Sequence, residues 1–184
     1  MNLLLIDTCS PTLYVGVRAG KIRAEIYGDG NAKRHAATVL EAVDEVLNRI
    51  NLTPQEIDVV GVVVGPGSFT GIRIGVATAN AFAAATGARM IEMTSLEVSA
   101  QGEDDVIALI DCRHGNYYAM IRRAGKDVYA AMTAEEVKAT DLKPIESDRP
   151  DGEKIYRTAM QKIGEEAWCT TAHAFYLKQS SAER

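Results

Sequence analysis

Residues 62–75, VVVGPGSFTGIRIG, carry an apolar run into a loop with Gly65, Gly67 and Gly71 and then into a helical pattern. That layout can cradle a phosphate, because loop amides and a helix N-terminus both offer N–H groups to an anion. The neighbouring residues do not complete either known cradle. A Walker A loop needs Lys-Ser/Thr after its last glycine, whereas Gly71 is followed by Ile72 and Arg73. A dinucleotide fingerprint needs Gly-x-Gly-x-x-Gly, and here the third glycine arrives one position late. The stretch reads instead as a structural corner. Gly65 and Gly67 flank Pro66 in a tight turn, Ser68 or Thr70 caps the following helix, and Gly71 lets that helix approach closely. Arg73 carries two readings, a pair across an interface or, the commoner case, a solvated surface charge.

A second candidate is Asp7 with Thr8, at the end of the apolar run LLLID. Such a turn can hold Mg²⁺ through water, or the Asp can bond its own turn amides as an Asx turn. With no second acidic ligand in sight, the Asx turn is the preferred reading, and Asp111 carries the same pair of readings. The histidines, His35, His114 and His173, never share a helix turn, which argues against an imidazole metal site; His35 reads as ordinary surface. Cys9, Cys112 and Cys169 show no CxxC spacing, so buried reduced thiols in a cytosolic protein are expected.

The chain has 184 residues, 47% of them hydrophobic, enough for one large domain or two lobes. Its formal charge of −5 comes without a basic cluster, so any nucleic-acid role has to run through a partner. The apolar start reaches Asp7 too soon for a signal peptide or a membrane span, and a cytoplasmic protein is expected.

The elements that position these residues follow from periodicity. A strand at 3–6 leads into the alternating stretches LYVGVRAG and KIRAEIYG, two antiparallel strands joined at Gly20. Residues 33–50 are helical, with Ala36, Val39, Leu40, Val43, Val46, Leu47 and Ile50 on one stripe. Thr53 and Pro54 form a capped turn, 59–64 is a strand, and 71–86 is the next helix. Small residues recur there at Gly71, Gly75, Ala79 and Ala83, a smooth ridge for another helix. The rest of that helix is apolar too, so one face is expected on the sheet and the other at a subunit interface. The expected interface comprises Gly71, Ile74, Gly75, Thr78, Ala79, Phe82 and Ala83. Leu40, Val43 and Leu47 of the first helix flank it while burying that helix on the sheet. An arginine at Gly75 or Ala79 is expected to abolish assembly and leave the monomer folded.

The two halves repeat. LLLIDTCSPTLYVGVRAGK (3–21) parallels IALIDCRHGNYYAMIRRAGK (107–126): strand, Asp, turn, second strand, then Arg-Ala-Gly-Lys. GEDD (102–105) links the halves.

Duplicated strand–Asp–hairpin lobes look like the actin, hexokinase and sugar-kinase superfamily. LLLIDTCS with VVVGPGSFTGIRIGVA, the helix RHAATVLEAVDEVL and the tail AFYLKQSSAER resemble the bacterial TsaB (YeaZ) family. At the tail, the family's Pro, Arg and Gln are Ala174, Lys178 and Ser181 here. The resemblance implies an α/β fold of duplicated actin-like (ribonuclease H-like) lobes, 1–101 and 102–184, the second reduced. It implies a non-catalytic scaffold with no cofactor, the paralogue of a TsaD subunit that makes threonylcarbamoyladenosine on tRNA next to the anticodon. The implied partners are that TsaD-type subunit, a TsaE-type ATPase and, when alone, a second copy; tRNA is met only through the complex, and no membrane is involved. In TsaD a His-Leu-Glu-Gly-His-like segment supplies two metal ligands, and the matching SLEVS puts Ser95 and Ser99 at both positions. A hydroxyl is too weak a ligand to replace imidazole on a divalent transition metal, which also removes a metallopeptidase reading. An autonomous kinase or ATPase of the same fold needs a glycine-rich adenine lobe with a catalytic Asp; the region after 133 shows neither.

Overall fold

The computed structural model describes residues 1–177; the tail positions Lys178 and Ser181 lie outside the described residues. β1 (Asn2–Asp7) is apolar at successive positions because both its faces are covered. It pairs antiparallel with β2 (Tyr14–Ala19), Leu4 opposite Val17, and β2 pairs in turn with β3 (Ile22–Tyr27). The chain then crosses through α1 (His35–Arg49) and returns as β4 (Val59–Val63), parallel to β1 with Leu4 opposite Val60. α2 (Phe69–Thr86) and β5 (Arg89–Met93) complete a second crossover. Both helices lie on one face of the sheet. There Leu4, Ile6, Val60 and Val62 meet Val39, Val43, Val46 and Leu47 of α1 and Ala79 and Ala83 of α2.

Local chemistry sets the boundaries. Ser68 accepts from the Gly71 amide, so α2 starts at Phe69, two residues before its expected start, and it ends at the left-handed Gly87. Thr53 donates to Glu56, which also accepts from the Thr53 amide, closing the short turn Pro54–Glu56. α1 is preceded by a single 3₁₀ turn, Ala32–Arg34.

After α3 (Ser95–Ser99) the plan repeats: β6 (Val106–Asp111), β7 (Asn116–Arg123), β8 (Lys126–Thr133), α4 (Ala134–Lys138) and β9 (Lys143–Glu146). β9 is parallel to β6 as β4 is to β1. These duplicated actin-like lobes are unequal. The outer face of the first sheet carries helices of 15 and 18 residues; α4, their counterpart, has 5. The chain then comes back to the first lobe. α5 (Gly152–Gly164) places Ile155 and Ala159 against Leu3, Leu5 and Val63. β10 (Trp168–Cys169) adds to the edge of the first sheet beside β5, giving the order β10-β5-β4-β1-β2-β3; the second sheet runs β8-β7-β6-β9.

α3 lies between the sheets. Its Val98 joins the core under β1, while Leu96 and the following Ala100 join Val106, Ala108 and Met120 of the second sheet. The repeat is therefore one residue out of phase. Leu3 and Leu5 point to the centre, and their counterparts Ile107 and Leu109 point outward with Val137 and Leu142. A one-residue slip exchanges the two faces of a strand. It also separates the two aspartates, leaving Asp7 buried and Asp111 exposed.

Candidate functional site

A cleft of about 550 Å³ opens between the lobes, lined among others by Asp7, Cys9, Ser68, Ser95, Asp111 and Lys154. Asp7 accepts from the Cys9 amide at 2.8 Å, and Asp111 accepts from the Arg113 amide at 2.7 Å. Both aspartates thus close Asx turns at equivalent strand ends. Thr8 turns away from the cleft and donates to the Gly71 carbonyl at 2.6 Å.

Three amides of the glycine loop and helix start are engaged. Ser68 N–H donates to the Cys9 carbonyl at 2.7 Å, Gly71 N–H to the Ser68 hydroxyl at 3.2 Å, and Ile72 N–H to the Ser68 carbonyl at 2.8 Å. A phosphate cradle needs such donors free. The left-handed Gly65 (φ 109°) serves close packing instead, since the backbone carbonyl of Phe175 approaches where a side chain would stand. The Cys9 thiol donates to the Val63 carbonyl at 3.2 Å, and burial pushes its pKa well up, so it acts as a structural thiol.

Of the two serines of SLEVS, Ser99 braces its own helix, while the Ser95 hydroxyl is buried without a hydrogen-bond partner among the described residues. Ser99 donates to the Ser95 carbonyl at 2.8 Å. Thr94 caps the Glu97 amide, and the Glu97 carboxylate accepts from the Thr94 amide and pairs with Lys162 of α5 at 2.6 Å. The one carboxylate of the segment is committed to fastening α5.

His35, expected at the surface, is only 2% exposed, with Nε2 at 2.9 Å from the Pro11 carbonyl. It sits within electrostatic reach of Asp7. Burial pushes the Asp7 carboxyl up to about 6, opposed by the Cys9 hydrogen bonds and by His35. The fold therefore favours neutral Asp7, whose contribution to stability is full below about pH 4 and is lost as pH rises through about 6. Asp7→Asn keeps the acceptor for Cys9 and removes the ionisation. Thermal melts from pH 4 to 8 should show the variant level with the native chain at low pH. At pH 8 it should be more stable by up to about 3 kcal/mol. Equal melting at both ends would contradict this.

α2 turns its small-residue row inward, opposite to the expected direction. Gly71, Gly75, Ala79 and Ala83 are buried inside the lobe. A Cβ at Gly71 would overlap the Thr8 carbonyl oxygen, and one at Gly75 the Thr8 hydroxyl. The ridge serves the approach of α2 to the Thr8 turn. Val43 and Leu47 are likewise core, whereas Leu40, expected on the sheet, is 60% exposed. Of the residues expected at an interface, Ile74, Thr78 and Phe82 stand half-buried at the border of the outer face and Leu40 lies fully outside. Ala77, Ala81 and Ala85, absent from the expected set, are exposed. Their spacing of four residues is the signal that marks them as a second row. Among the described residues no helix is long and apolar enough to cross a membrane.

A model of the TsaD family, tRNA N6-adenosine threonylcarbamoyltransferase, matches residues 28–179. The TsaB protein of Bacillus subtilis, a tRNA threonylcarbamoyladenosine biosynthesis protein, is 35% identical over 123 residues, 64% of this chain and 53% of that one. The Escherichia coli TsaB is 29% identical over 178 residues, 92% of this chain and 70% of that one. The matched stretch thus spans about half of the first relative's length. YeaZ from Pseudomonas aeruginosa superimposes with a TM-score of 0.79 at 21% identity, over 96% of this chain and 99% of that one. A doubled strand–hairpin unit around an interlobe cleft is the architecture of the actin-like class. Within it the chain belongs to the TsaD family, on its TsaB (YeaZ) branch.

Proposed function

We propose that this chain is a non-catalytic subunit in the biosynthesis of threonylcarbamoyladenosine on tRNA, next to the anticodon. It pairs with a TsaD-type subunit, which carries the metal and transfers the carbamoyl group, and a TsaE-type ATPase joins at that junction. tRNA is engaged through the complex, in the cytoplasm, and the chain alone forms a homodimer. The observation that carries this reading is the outer face of α1 and α2, where Leu40 stands 60% exposed next to a helix whose outer row is alanine. Leu40 with Ala77, Ala81 and Ala85 makes an exposed apolar patch of the kind a partner covers. The cleft supports the same reading from the other side: the Ser68 and Gly71 amides and the carboxylates of Asp7 and Asp111 make internal bonds.

The test is co-purification with the TsaD-type protein of the same organism. A stable complex is expected, with tRNA modification requiring both chains and the isolated chain hydrolysing no ATP. Modification proceeding at full rate without this chain, or ATP turnover by the chain alone, would reject the proposal.

A further inference from the structure

We infer that Tyr176, held in place by the core-packed segment before it, belongs to the same partner surface as an anchor that a second copy of this chain covers. This rests on the helix-face reading above and adds an element to it that is remote from both helices in sequence.

The segment is fastened to the first lobe before any partner arrives. The side chain of Asn80, in the middle of α2, accepts from the Ala172 amide at 2.8 Å and donates to the Ala172 carbonyl at 3.0 Å. That pair does for residue 172 what a neighbouring strand would do. Three residues on, Phe175 N–H donates to the Val64 carbonyl at 2.8 Å, and its ring meets Tyr129 of the second sheet at 5.2 Å between centroids. Tyr176 is thereby delivered to the first turn of α2. Its ring lies 5.4 Å from that of Phe69, and its hydroxyl is 3.3 Å from Arg73 Nε. The Arg73 guanidinium covers the other aromatic partner, 3.9 Å from the Phe69 centroid.

This cluster stands in line with the outer row. Arg73, Ala77 and Ala81 follow at intervals of four, so they lie one above another on the helix surface. Tyr176, 39% exposed, extends that row beyond the helix end.

Area decides why the extension matters. Helices of 15 and 18 residues, side by side, present a strip roughly 25 Å by 18 Å, or about 900 Å² over two copies. Stable specific interfaces bury about 1,200–2,000 Å². The helix pair alone falls short. A two-fold axis adds the aromatic cluster at both ends, which brings the total to about the lower bound. Tyrosine and arginine are also the residue types that dominate binding at such sites, and here their geometry is set in advance by Asn80 and Val64.

The experiment is sedimentation velocity over a dilution series of the full chain. It compares the native protein with Tyr176→Ala, Tyr176→Phe and Leu40→Arg, each checked by thermal melting. Tyr176→Ala should weaken the dimer about tenfold or more with a melt lowered by only a few degrees, because Tyr176 packs on the surface of α2 and not in the core. Tyr176→Phe, which keeps the stack on Phe69, should stay close to native. Asn80→Ala, which releases the segment, should weaken the dimer by at least as much. If Tyr176→Ala pairs like the native chain while Leu40→Arg is monomeric, the inference falls and the helix-face reading stands. If Leu40→Arg also pairs normally, both fall. A native chain that is monomeric throughout, or a Tyr176→Ala effect seen only with a TsaD-type partner, overturns the choice of a second copy as occupant.

Discussion

Gly75→Arg should unfold the monomer, and it should do so before any question of assembly arises. Gly75 faces the Thr8 hydroxyl so closely that even a Cβ would overlap it, and Ile6 stands just behind. Thr8 cannot give way cheaply, because its hydroxyl is spent on the Gly71 carbonyl and its residue is fully buried between β1 and α2. An arginine there both overpacks the contact and buries an unpaired charge, each costing about 1–5 kcal/mol. Set against a total stability of about 5–15 kcal/mol, the sum removes most of the fold. Gly71→Ala is the milder version, one methyl against the Thr8 carbonyl, and should cost about 1–3 kcal/mol. Urea denaturation followed by circular dichroism measures both. A Gly75→Arg chain with a native midpoint would mean that the ridge is open to solvent, as periodicity alone suggests.

The order of elements, the repeat, the Ser68 cap and the Asx turns are legible in the sequence, because each rests on a residue type at a fixed spacing. The direction of α2 is not. A row of glycine and alanine says that something comes close, but not whether it is a helix of another chain or a strand-end turn of the same one. On α2 both rows are small, so hydrophobic periodicity has no polar face with which to choose. The glycines mark the inner row, since there the Thr8 turn comes within reach of a missing Cβ. Leu40 misleads for a related reason. Val39, Val43, Val46 and Leu47 already fill the inward stripe of α1, and Leu40 lies one position around from Val39. His35 reads as surface because one residue in a helix's first turn carries no periodic signal. Its burial comes from the Pro11 loop, distant in sequence. The return of α5 and β10 to the first sheet cannot be read from the repeat, which ends before them.

Ala77→Arg should separate assembly from folding, in the manner first expected of Gly75. Ala77 is exposed in the middle of the outer row, with Arg73 four residues before it and Ala81 four after. In the monomer an arginine at that position reaches water, and its helix propensity is within a few tenths of a kcal/mol of alanine. The melt should therefore stay within about two degrees of native. In the assembly the same side chain would be forced between two helix faces that the alanines allow to come within about 8–10 Å. Either the helices are pushed apart and the apolar contact is lost, or an unpaired guanidinium is buried. Each alternative costs several kcal/mol, and a two-fold pairing incurs it twice. The homodimer should weaken beyond detection at micromolar concentration, and binding to a TsaD-type subunit should fall at least about a hundredfold if it uses the same face. Replacing Asp44, exposed on the flank of α1, by lysine sets the comparison. A rim charge should alter the salt dependence and leave the affinity within about threefold. Light scattering and titration calorimetry on the two variants read both effects. An Ala77→Arg chain that still forms the dimer and still binds its partner would place the interface on another part of the molecule.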